Sequence, residues 1–92
     1  MPSPDSIREV LESPEVLGRL AAVEHERWAH WQRYLHDQCE RRDDGSLVIP
    51  ADLVRRWEEQ IETPYSDLSV EEQRSDQEQV LKYLPVVIAA LD

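Results

Sequence analysis

Apolar residues recur along this chain mostly at spacings of three and four, without the strict alternation of a strand, so the pattern predicts helices. Leu17, Leu20, Ala21, Trp28, Trp31, Leu35 and Cys39 form one stripe of a long first helix running from Pro14 or Glu15 to about Cys39. Ser13 supplies its N-cap, Pro14 suits the first helical position, and Glu15 favours the positive end of the dipole. Glu24 lies inside the stripe, where an unpaired carboxylate is costly. It is therefore expected to pair with Arg27 or with another helix, or to sit at the open edge of the bundle. Leu53, Val54, Trp57 and Ile61 predict a second helix that starts near Pro50 and stops at Thr63-Pro64. Ser69-Val70-Glu71-Glu72 reads as a capping box that opens a third helix. Pro85 lacks a donor and clashes with the preceding turn, so this helix breaks near Leu84 and a last short helix covers Val86 to Leu91.

Residues 1–13 read as an N-terminal arm. Pro2 and Pro4 keep its start extended, and Ser6 to Leu11 forms one or two helical turns. Glu40 to Ser46 is a loop with a strong turn signal at Asp44-Gly45. Leu47-Val48-Ile49 is extended because Ile49 precedes a proline. The predicted fold class is all-α: residues 14–92 form a compact bundle of three main helices plus a short C-terminal helix. Its expected core is Leu17, Leu20, Trp28, Trp31, Leu35, Leu53, Trp57, Ile61, Val80, Leu84, Val87 and Leu91.

Composition narrows the function more than the fold. A chain of 92 residues can hold one modest core and is expected to bury about 65% of its unfolded surface. Twenty acidic residues against ten basic ones leave a net charge of −10, which argues against a nucleic-acid backbone or an anionic membrane as partner. One cysteine, Cys39, permits neither an intrachain disulfide nor a cysteine-based zinc site. The apolar run Tyr83 to Leu91 is too short to span a bilayer. No signal peptide is expected in residues 1–14, which carry three prolines and three acidic side chains. The expected setting is the reducing cytoplasm.

Catalytic and metal chemistry find little support. His25, His30 and His36 are spaced by five and six, whereas a helical metal pair needs three or four to share a face. Cys39 lies near a helix end whose dipole disfavours a thiolate. Neither a glycine-flanked serine elbow nor a glycine-rich phosphate loop is present. The expectation is therefore a non-enzymatic protein with no catalytic residues, no metal ligands and no cofactor. More informative is the weave of polar and aromatic residues in His25-Glu26-Arg27-Trp28, Trp31 and Tyr34. Such residues form a core with boundary charges, or the edge of a pocket for a planar ligand.

Leu20-Ala21-Ala22-Val23-Glu24-His25-Glu26-Arg27-Trp28, followed by Thr63-Pro64-Tyr65-Ser66-Asp67-Leu68-Ser69-Val70-Glu71-Glu72-Gln73-Arg74-Ser75-Asp76, resembles the ryanodine-receptor repeat domain (RyR domain). The resemblance is to its small single-domain bacterial and phage versions, over roughly residues 20–84. Tyr65, Leu68, Glu72 and Asp76 fall at that family's spacing. The chain lacks the family's Gly-Trp-x-Tyr-Gly segment, has Gln73 and Gln77 where basic residues are common, and inserts a helix between Leu47 and Ile61. The resemblance implies an all-helical sensing module for a nucleotide-derived small ligand.

Two functions follow. In the first, a ligand-binding module uses His25, Glu26, Trp28, Trp31, Tyr65 and Asp76 as the wall of its pocket. In the second, the chain is a protein-interaction or assembly domain, a homodimer or an accessory phage or bacterial protein, and its aromatic residues are core or interface anchors. The ligand reading expects a concave pocket holding Trp28 and Tyr65, with His25 or Glu26 pointing in. It also expects a contact from His25 or Arg27 to Asp76 that ties the motif halves together. The assembly reading expects an apolar patch elsewhere.

Overall fold

Serine side chains decide where three helices begin. The computed structural model describes residues 3–92. It runs α1 (Pro4–Leu11), α2 (Pro14–Gln38), β1 (Glu40–Arg41), β2 (Leu47–Val48), α3 (Ala51–Glu62), a 3₁₀ turn (Tyr65–Asp67), α4 (Val70–Leu81) and α5 (Leu84–Leu91). Ser3 Oγ accepts from the Ser6 amide at 3.2 Å, Ser13 Oγ from Val16 at 3.3 Å and Ser69 Oγ from Glu72 at 3.2 Å. Each such cap contributes about 1 kcal/mol. Pro4, expected to hold the chain extended, instead opens α1, where its missing N–H would be unpaired anyway. The corresponding expectation for Pro2 lies outside the described residues.

The capping box at Ser69 forms with one change. The Glu72 carboxylate accepts from the Ser69 hydroxyl at 2.9 Å, not from its amide, and from Gln60 Nε2 at 2.9 Å. It thereby joins α3 to α4. Pro85 acts as expected: the chain turns at Lys82 and Tyr83, and the Tyr83 carbonyl accepts from Val86 and Val87 to start α5. Asp44 Oδ1 accepts from the Ser46 amide and hydroxyl at 2.9 and 2.6 Å, which holds its carboxyl below its ordinary range. Gly45, at φ 88°, adopts the left-handed conformation this turn requires. The loop thus closes into a short antiparallel ribbon pairing Glu40 with Val48 and Arg41 with Leu47.

The long α2 is the spine. α5 runs antiparallel along it, with Tyr83 at Glu24 and Ala89 and Ala90 near Val16. α1 packs on both α2 and α5, and α4 packs on α5. Towards the far end of α2, Trp31 stacks on Tyr34 at 5.5 Å and meets Trp57 of α3 edge-on at 5.8 Å.

The all-α expectation therefore holds in its coarse form, with a minimal ribbon added, but the single chain does not close into a compact bundle. Its radius of gyration is 18.0 Å, against about 12 Å for a compact chain of this length. Its extents are 56 × 34 × 16 Å. The thin dimension is filled by two packed helices, given interaxial distances of about 8–10 Å. The exposed surface is 7636 Å², so only about half of the unfolded surface is buried, not the expected 65%.

The expected core is not enclosed. Val16, at 8% exposure, is the one buried apolar residue among those described. Leu20, Leu35, Leu53, Trp57 and Val87 are half-buried. Leu17, Trp28, Trp31, Ile61, Val80, Leu84 and Leu91 are exposed. The helices form where the stripes predict them, but no third layer covers their remaining faces.

Glu24 meets its expectation through a pair. Its carboxylate accepts from Arg27 Nε at 3.1 Å and Nη2 at 2.5 Å, and from the Tyr83 hydroxyl. The Arg27 hydrogen bonds, then the Tyr83 one, lower its pKa from the ordinary 4.5 to about 2. The same contact raises the Tyr83 phenol. A depressed carboxyl stabilises the fold fully above its unfolded value and loses that effect as the pH falls through its folded one. The melting-temperature gap between the wild type and Glu24→Gln is therefore expected to be widest above pH 5 and to close between about 4.5 and 2. Thermal unfolding by circular dichroism across this range checks it. A gap independent of pH would show that Glu24 is not held ionised by these partners.

Candidate functional site

Helical spacing assembles the most enclosed concavity from three elements. Arg27, His30, Trp31 and Tyr34 lie three or four apart along one face of α2. Arg56, Trp57 and Gln60 face them from α3, and Ser75 and Gln79 from α4. The cleft measures about 310 Å³, the lower end of the range for small-molecule sites. Its walls are indole and phenol rings. Its charged lining is two arginines, with no carboxylate among the lining residues. Arg27 is held by Glu24 on its own helix, so Arg56 is the lining arginine without an ion pair among the described residues.

A second groove of about 370 Å³ adjoins it and shares Trp31, Arg56, Gln60 and Ser75. Its remaining lining is Leu68, Glu71, Glu72 and Asp76. The hydrogen bond from Gln60, and then that from Ser69, holds the Glu72 carboxyl below its ordinary range. The two hollows together make a trough in which Arg56 of α3 lines both parts and Glu71, Glu72 and Asp76 lie along α4.

The sequence-predicted site residues do not converge on one pocket. Trp31 lines both hollows, and Asp76 lines the acidic one. His25 and Trp28 stack on each other at 5.9 Å and line neither. Trp28 is 53% exposed. Glu26 is exposed and also lines neither. Tyr65 is fastened elsewhere: its hydroxyl accepts from Gln77 Nε2 at 2.7 Å and its carbonyl from Gln73 Nε2 at 2.9 Å. The glutamines that stand where basic residues were expected thus clamp Tyr65 to α4.

The expected tie between the motif halves is not made. Arg27 turns to Glu24 on its own helix, and Asp76 has no hydrogen bond or ion pair among the described residues. Cys39 is half-buried, with its thiol directed to the Leu35 carbonyl at 3.1 Å. Arg56, Trp57 and Gln60 complete the cleft and are absent from the predicted site. The signal that points to them is Trp57 itself, a large aromatic between an arginine and a glutamine on one helix face, which reads equally as core.

The Trp31–Trp57 contact is the direct aromatic bridge between α2 and α3. An aromatic pair contributes about 0.5–1.5 kcal/mol beyond its buried area. A double-mutant cycle on Trp31→Ala and Trp57→Ala, read by urea unfolding, is expected to give a coupling of this size. Additive effects would mean that the two rings do not hold the cleft together.

Comparison of the chain with protein families, with curated proteins and with solved structures finds no match.

Proposed function

We propose that this chain is an assembly module, a protein-interaction domain whose apolar faces are covered by a partner. One observation carries the reading. Among the described residues, Val16 alone is a buried apolar side chain, while fifteen large apolar ones are exposed, Ile61 at 77%. Scattered exposed apolar residues are ordinary in monomers. Exposure of seven of the twelve expected core residues, with the other five only half-buried, is the mark of an interaction surface. The compact bundle expected from the stripes then belongs to the complex, in which the partner supplies the missing layer. Light scattering and small-angle X-ray scattering on the purified chain test this. The expected result is a particle heavier than 10.8 kDa, or an open monomer that binds a hydrophobic dye. A monomer with a radius of gyration of about 12 Å and no dye binding would sink the reading.

The cleft favours a second reading, in which the chain is a ligand-binding or sensing module. Indole walls with Arg56 and no lining carboxylate suit a planar anion, of which a nucleotide is one class. The resemblance to RyR domains supports the same ligand class, with the site moved from His25, Trp28 and Tyr65 to Arg27, Arg56 and Trp57. Thermal-shift screening against a panel of nucleotides and cyclic dinucleotides tests it. A ligand at about 100 times its Kd adds about 2.7 kcal/mol of stability, and an Arg56→Ala variant should lose the shift. A panel with no shift would remove this reading.

A further inference from the structure

We infer that the partner is a second copy of this chain, seated by two-fold symmetry so that Arg56 in the trough of one copy faces Glu71 and Asp76 in the trough of the other. The inference rests on the assembly reading and adds the identity of the occupant and its register. Its first support is area. The exposed surface of 7636 Å² exceeds that of a folded monomer of this mass by about 2,100 Å². Two copies together thus carry an excess of about 4,200 Å², within the roughly 2,000–5,000 Å² of obligate homodimers. No third component is needed to bring the surface to the ordinary value.

The second support is charge. Arg56 and Trp31 line both hollows, and Glu71 and Asp76 line the second beside them. A two-fold contact is isologous, so a surface that carries both signs side by side is complementary to itself. Each copy then sets its Arg56 against the partner's carboxylates and buries Trp31 near the axis, the position of an anchor residue. The net charge of −10 per chain opposes self-association at long range, and the apolar contact around Trp31 has to offset it.

Sedimentation equilibrium over a concentration series, with folding checked by circular dichroism, tests the inference. The wild type is expected at twice 10.8 kDa. Arg56→Glu and Asp76→Arg each set like charges across the axis twice, and each should weaken the dimer at least tenfold. An equimolar mixture of the two variants restores one favourable set of contacts and keeps the other, so it should recover a heterodimer. A wild-type chain that stays at 10.8 kDa, open and dye-binding, overturns the second copy and leaves the assembly reading standing. A compact, dye-free monomer overturns both. A dimer unaffected by either charge reversal overturns the proposed register.

Discussion

Across its 16 Å thickness this chain has room for two packed helices and no third, so no helix is covered on both faces along that direction. The rest of the structure follows from that constraint. α2 carries an apolar stripe long enough to need a full layer against it, and α1, α5 and α3 cover it only in part. At one end, α1 and α5 close over Val16. Towards the other, a single edge-on indole pair bridges α2 and α3. The apolar area that would drive closure of a monomer is present in the sequence, but it stays exposed to solvent.

Polar links hold the open arrangement where packing is thin. Glu24 gathers Arg27 and Tyr83 at the point where α4 gives way to α5. Glu72 gathers Ser69 and Gln60 where α3 meets α4. Tyr65 is pinned by Gln73 and Gln77. All three groupings are largely solvent-exposed, and exposed polar contacts stabilise weakly because water competes for the same groups. They set direction and spacing between helices more than they resist unfolding. A layer of apolar contact from outside would add what they lack.

The trough joins fold to function. It exists because Trp31 of α2 and Trp57 of α3 meet beside the carboxylate-bearing α4. Both functional readings use it. A planar anion would occupy only the hollow between the indoles, whereas a second copy would use both hollows. The assembly reading thus accounts for more of the surface, since a small ligand leaves Leu17, Ile61, Val80 and Ile88 in water.

The local elements were legible from the residues alone because their causes are local. Ser13-Pro14 begins a helix, Pro85 breaks one, Asp44-Gly45 turns the chain and a stripe of spacing three and four marks a helical face. Each acts over a few residues. The pairing of Glu24 with Arg27 was legible for the same reason, since residues three apart share a face. What only the tertiary structure decided was what each stripe packs against. A stripe states that a face must be covered, not whether the cover comes from the same chain, and so the enclosed core read from the sequence is not formed. The predicted site residues lie apart from one another on the same ground. His25, Trp28 and Tyr65 are prominent in the sequence, yet the helix directions place Trp31 beside Trp57 and Arg56 and turn Tyr65 to α4. Those directions depend on contacts between residues far apart in the chain, which no local spacing encodes.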